Sequence, residues 1–449
     1  MLGPAFQILS EELGPVPDAG EVLLRAQHLG PPVLLDSGQG PPHGEFSVLA
    51  LPLRTHLSWR RGDAGDPFEL LRAVIRRVPQ SAGAKPYSAG LVVLLSYELR
   101  HVLEELPGRH RSLTTLPDLL VIESRVTLVR DERTGEGRLN TIHGGESDPD
   151  YKTVLAQRDA LRAALNAPRP RCDPKPISNR VLEAPSDAHH ERRVQQALEH
   201  IRAGDIYQAN LARRWTLERP SDLIQHHIHL RQANPPTFGA YLEHDGEALL
   251  SYSPEEFLAV DGERVSTRPI KGTCPRAADP VTDRNNQAAL LASTKDRAEL
   301  AMIVDVLRND LSRVCRTGSV RVTAPLELET HPTVHHLVAE IEGHLAEGRD
   351  LVDLLRAVHP GGSITGAPRI RAMEIIDSLE AETRGPYCGA LGWVGCDGRS
   401  RWNILIRTLY SGGGTLHLHA GGGIVLDSVP AAEREETTRK VAALLGHHE

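Results

Sequence analysis

The stretch "EREETTRK" sets Glu433, Glu436 and Lys440 at spacings of three and four residues, so a helix would carry them on one face. Two carboxylates on adjacent turns, with an ammonium above them, can hold a hard cation and an anionic ligand together. The same spacing also describes an ordinary helix start carrying a Glu436–Lys440 surface pair. A third carboxylate, Glu299 in "KDRAELAMIVD", borders the apolar face of another helix. If the two helices meet, Glu299, Glu433 and Glu436 make an all-oxygen set suited to a magnesium ion that keeps some of its water. Lys271, in "RPIKGTCPR", is the other group with chemical potential. It is expected at a strand end, where Gly272 lets the backbone bend. A lysine there is either a solvated edge residue or an amine held in a site.

Two glycine-rich stretches add polar possibilities. "HAGGGIVLDS" lets the backbone of Gly421, Gly422 and Gly423 approach an anion closely, and "HPGGSITGAPRIRAMEIIDSLE" offers the hydroxyls of Ser363 and Thr365. Neither is a GxGxxG fingerprint or a GxxxxGK[ST] loop, so nucleotide binding is not supported. The 22 histidines do not form an HExxH pattern. "HHIHL" and "LHLHAG" read as strands with a solvated polar face, and no histidine metal site is expected.

The elements that must position these groups fall into two regions. Residues 1–165 hold strand-like runs such as "PPVLLDSG", "AGLVVLLSYEL" and "LLVIESRVTLV", with the helical pattern "DPFELLRAVIRRV" among them. Residues 166–187, around "NAPRPRCDPKPISN", are dense in proline and charge and read as a linker. Residues 188–445 form the second region. There "NQAALLASTKDRAELAMIVDVLRNDLSRV" puts Leu300, Ile303, Val304, Leu307 and Leu311 on one helical face. "CGALGWVGC", "WNILIRTLY" and "GTLHLHAGGGIVL" read as strands. The stretch "SVPAAEREETTRKVAALLG" reads as a helix with Ser428 as its cap and Pro430 in its first turn. Strands joined by both hairpins and helices predict an α+β, two-lobed β-sandwich with flanking helices.

Composition narrows the function classes. A chain of 449 residues, 40% hydrophobic and 24% charged, is globular, and a net charge of −8 without a basic stripe argues against nucleic acid as a partner. No window is long and apolar enough to span a bilayer, and the N-terminus lacks a secretory pattern. Five scattered cysteines without a CxxC pair fit a reducing, cytoplasmic setting.

Taken in order, "GDIYQANLARR", "SYSPEEF", "RPIKGT", "KDRAELAMIVDVLRNDLSRV", "VHHLVAEIEG", "PGGSITGAPRIRAMEII", "WNILIRT", "AGGGIV" and "EREETTRK" resemble the chorismate-utilising enzymes. The region before them resembles the N-terminal domain of the amino-transferring members. Within the family, the water-adding branch carries a lysine where this chain has Gln208, and a neutral amide is no general base. Lysine in the "PIKGT" position resembles the aminodeoxychorismate synthase large subunits, whereas anthranilate synthase large subunits, the alternative, have alanine there. The resemblance implies that Lys271 is a nucleophile and Glu255 a general acid. It implies magnesium on Glu299, Glu436 and Glu433, and substrate contacts from Thr273, Ser363, Thr365, Gly366, Arg407, Gly421, Gly422, Gly423 and Lys440. His336 takes a supporting role. Ser312 departs from the usual glycine of "RNDLGR", and "EETTRK" from the commoner "EETxNK". The implied partners are chorismate, ammonia and a separate class I glutamine amidotransferase subunit, because no "GxCxG" elbow occurs in this chain. The segment "VLLDSGQG" corresponds to the part of anthranilate synthases that lines a tryptophan pocket.

Overall fold

The computed structural model describes residues 6–38, 44–78, 81, 84–169, 179–331 and 334–446. Among these described residues twenty strands form one continuous antiparallel network, with helices packed along it. This is the expected α+β, two-lobed sandwich. The long strand Leu119–Asp131 is the hinge of the network. One edge pairs along its length with Phe46–Trp59, while the other pairs first with Gly90–Leu95 and then with Glu136–His143. Bulges at Pro52 and before Leu57 bend the Phe46–Trp59 strand.

From that hinge two arms run out. One proceeds through Val33–Asp36, Gly239–His244, Glu247–Ser251, Thr408–Gly412, Thr415–Ile424 and Gln208–Glu218. The other proceeds through Gly90–Leu95, Ala390–Gly395, Ser400–Ile404, Glu256–Asp261 and Arg264–Thr267 to Val334–His344, which holds both Ile270–Pro275 and Arg321–Thr330. Two main apolar cores result: one, around Leu94, Trp393, Trp402 and Leu405, also takes Leu242 and Leu249 from the first arm, and the other lies around Leu34, Leu128, Tyr241 and Leu418. Strands from residues 1–165 thus hydrogen-bond directly to strands from residues 188–445, as at Leu34 with Tyr241 and Leu91 with Val394. Of the linker segment, residues 170–178 lie outside the described residues; Val181–Glu183 adds a short strand beside Gln208–Glu218.

Local chemistry explains where three sequence expectations give way. "NQAALLASTKDRAEL" is two helices, Pro280–Ala292 and Thr294–Ser312, because Ser293 leaves the helical conformation and its hydroxyl accepts the amide of Asp296. "HHIHL" lies in the helix Leu223–Ala233, capped by Asp222, and His226 and His227 are buried against its core side. "LHLHAG" is a strand, but His417 and His419 point inwards, where His419 stacks on Tyr387 and Tyr410.

Close packing between neighbouring strands makes some positions intolerant of any side chain. Gly392 sits opposite Trp402, and a Cβ there would lie 2.2 Å from the indole Cδ2. Gly392→Ala is expected to destabilise the fold by about 1–3 kcal/mol, as overpacking a dense core does. A lowered midpoint in denaturant unfolding would show it; an unchanged midpoint would mean that the indole has room to move.

Candidate functional site

The lysine strand ends against a helix. Lys271 is the second residue of Ile270–Pro275, and the pairing with Val334–His344 slips at Gly272, which has φ +76°. The backbone needs glycine there for two reasons. The conformation is left-handed, and a Cβ would meet Asp296 Cβ and Leu290 Cδ1, both at 3.0 Å. This close approach brings the first turns of Thr294–Ser312, and with them Glu299, beside Lys271. Burial lowers the pKa of the Lys271 amine, while the Glu299 carboxylate opposes that shift and Lys440 adds to it.

Glu255 enters from the loop before Glu256–Asp261, and its amide donates to Ser253 Oγ at 3.2 Å. Its carboxyl is buried, which pushes its pKa up to about 7 against the opposing pull of Ser363 and Lys271. Ser363 joins the two groups. Its hydroxyl donates to Glu255 Oε1 at 2.9 Å, and its carbonyl lies 3.5 Å from Lys271 Nζ. The loop carrying Ser363 is held by Thr365 Oγ1 donating to the Gly361 carbonyl and by Arg384 Nη1 donating to the Ile364 carbonyl. Arg384 is itself buried and paired with Glu380 at 2.6 Å. An acid and an amine, each shifted towards its neutral form, therefore flank Ser363.

The carboxylates come from two helices, as the sequence spacing suggested. Glu433 and Glu436 lie on Pro430–Ala442, which packs against the glycine-rich end of Thr415–Ile424. A Cβ on Gly422 would lie 3.1 Å from Glu433 Oε2 and 3.7 Å from Glu436 Oε1, so bare backbone passes directly beneath both. Ser428 is not the cap of this helix. With Pro430 opening it, the cap position falls on Val429, and the Ser428 hydroxyl donates instead to Glu433 Oε1 at 2.7 Å. Lys440 Nζ is 2.6 Å from Glu436 Oε1 and donates to the Gly421 carbonyl at 2.8 Å. Burial pushes the Glu436 pKa up, but the Lys440 ammonium prevails and the net shift is downward. Burial raises the pKa of Glu299 despite Lys271 and Lys295 nearby.

The donor chemistry fits magnesium: hard carboxylate oxygens on two helices, above a glycine whose lack of a side chain leaves the carboxylates unobstructed from below. Among the described residues, however, no three His, Cys, Asp or Glu side chains close on a single point. An ammonium that the sequence reading passed over lies between two of them. Lys295 Nζ is 3.5 Å from Glu433 Oε1 and 3.9 Å from Glu299 Oε1. The only local signal for it was the four-residue step from Lys295 to Glu299.

The other expected residues surround this core at different depths. Thr273 Oγ1 is 2.8 Å from Nδ1 of His336, which is buried. Burial, with help from Arg407, lowers the His336 pKa to about 3, so the ring is neutral at pH 7. Arg407 sits at φ +49° between Ser400–Ile404 and Thr408–Gly412. Its guanidinium has no carboxylate partner among the described residues, which leaves it available to an anion. Thr365 is fully buried, with its hydroxyl committed to backbone, and Gly366 packs against the Gln208 carbonyl. Both shape the loop from behind. On the face of the glycine strand opposite the carboxylates, the buried amide of Gln208 lacks hydrogen-bond partners at both Nε2 and Oε1.

The segment "VLLDSGQG" contributes Leu35, Asp36 and Ser37 to a separate cleft with Phe46, Phe238 and Trp393; its residues 39 and 40 lie outside the described residues. No helix among the described residues is long and apolar enough to cross a membrane.

Comparison with known proteins places this geometry in context. Residues 34–446 match the family described as chorismate binding enzyme. The aminodeoxychorismate synthase component 1 of Salmonella typhimurium is 36% identical, covering 96% of each chain. The anthranilate synthase component 1 of Streptomyces coelicolor is 39% identical, over 85% of this chain and 77% of that one. Among solved structures, anthranilate synthase component I from Streptococcus pneumoniae superposes with a TM-score of 0.78 at 27% identity, covering 90% of this chain and 92% of that one. The menaquinone-specific isochorismate synthase of Escherichia coli shares the fold, with a TM-score of 0.74 at 18% identity over 99% of this chain and 95% of that one.

Proposed function

The chain belongs to the chorismate-binding enzymes, and from that premise we propose that it aminates chorismate with ammonia to give 4-amino-4-deoxychorismate, the precursor of 4-aminobenzoate for folate synthesis. The observation that carries the reading is the facing pair of Lys271 and Glu255, bridged by Ser363 and each shifted towards its neutral form. The neutral amine of Lys271 adds at C2 of the substrate, the ring double bonds shift, and the C4 oxygen leaves as water with the proton of Glu255. Ammonia then attacks C4 and expels the lysine, so two displacements restore the C4 configuration. The half-buried guanidinium of Arg407 supplies charge for a substrate carboxylate. Magnesium, held by Glu299, Glu436 and Glu433, would polarise the ring carboxylate and make C2 more electrophilic. Ammonia comes from a separate class I glutamine amidotransferase subunit, and both subunits work in the cytoplasm.

Purified protein supplied with chorismate, magnesium and ammonium salt is expected to form a product that a separate lyase converts to 4-aminobenzoate. Chelating the metal with EDTA should abolish that product, and added Mg²⁺ should restore it. Anthranilate and pyruvate formed without the lyase would instead assign the chain to the other amino-transferring branch, whose relatives are similarly close in identity.

A further inference from the structure

Lys295 occupies an unusual place for a lysine in the first turn of a helix. Its ammonium reaches across to the neighbouring helix, to Glu433, and back along its own helix to Glu299. Among the described residues these two are its ion pairs, and the Glu436 carboxylate adds a further attraction. The other two lysines of the site are engaged differently: Lys440 is also tied to the Gly421 carbonyl, and Lys271 faces Ser363. The Lys295 side chain remains 48% exposed, so its flexible stem can withdraw into water without opening the core. Glu433, by contrast, is buried with only Ser428 and Lys295 against its Oε1.

We propose that Lys295 is the resident counterion of the carboxylate cluster and competes with the divalent metal for Glu433 and Glu299. The ammonium offsets the repulsion between carboxylates on the two helices. A divalent ion entering between them meets a positive charge that must swing outwards. Lys295 therefore lowers the affinity for free metal and, in exchange, keeps the two helices together when no metal is bound. This inference rests on the proposed magnesium site and adds to it a residue that is not a ligand.

Calorimetric titration of Mg²⁺ into the full-length protein tests it, with Lys295→Gln and Glu436→Gln beside the wild type. Lys295→Gln is expected to tighten Mg²⁺ binding roughly three- to tenfold, the scale of losing partly exposed ion pairs. Without metal its melting temperature should fall below that of the wild type, and saturating Mg²⁺ should close the gap. Mg²⁺ binding that is lost in Glu436→Gln but unchanged or weaker in Lys295→Gln would overturn the competition while leaving the metal site standing. Absence of Mg²⁺ binding in the wild type would remove both.

Discussion

Lys271→Ala is expected to lose roughly 10³-fold or more in the rate of chorismate amination while keeping its fold. The strand holding Lys271 is set by its ladder to Val334–His344 and by the bulge at Gly272, neither of which uses the lysine side chain. Deleting the amine therefore removes the nucleophile and little else. Lys271→Arg should fare no better, because a guanidinium keeps the charge but stays protonated and cannot add to carbon. Steady-state rates with ammonium salt, together with circular dichroism, separate lost chemistry from lost structure. Intact-mass spectrometry adds a direct check. Without ammonia, wild-type protein exposed to chorismate should gain the mass of the substrate less water, and the variant should not. A folded Lys271→Ala protein within tenfold of the wild-type rate would end the nucleophile assignment.

Glu255→Gln carries the second large effect, a fall of about 10²–10⁴-fold in kcat, the usual worth of a positioned general acid. Glutamine can still accept the Ser363 hydroxyl, so the loop keeps its place while the proton is gone. The pH profile tests the same assignment independently. Burial has pushed the Glu255 pKa up to about 7, and the acid works only while protonated, so kcat/KM should decline above about pH 7. The Lys271 amine works only when deprotonated, and burial shifts it in that direction. In Glu255→Gln the decline above about pH 7 should disappear. A decline that persists in the variant would belong to some other group.

The local placement of the site residues was far more legible in the sequence than the long-range contacts between them. Helical spacing placed Glu433, Glu436 and Lys440 on one face, and Gly272 announced the break beside Lys271, because these are relations between near neighbours. The Lys295–Glu433 contact joins residues 138 positions apart, and no local periodicity carries such information. The Ser363–Glu255 bond, across 108 positions, was hidden for the same reason. The errors were local. A five-residue run such as "HHIHL" is too short to distinguish a two-residue from a 3.6-residue period; the Asp222 cap decided in favour of helix. The Ser428 misreading came from counting one residue too far back from Pro430; its hydroxyl takes the Val425 amide and donates to Glu433 instead of capping the helix. The branch within the family turned on the Lys271 position, since overall identity to the two kinds of relative is nearly equal.

The antiparallel network also limits how this protein can be divided. The strands Gly239–His244 and Ala390–Gly395 are each completed by a strand from the first 165 residues, and both carry largely buried residues. Severing the N-terminal region would leave two raw, apolar edges with unpaired amides and carbonyls, surfaces that invite pairing with other chains. The catalytic half is therefore not a module that recombination could move by itself. New specificity on this scaffold has to arise by point changes inside an indivisible unit.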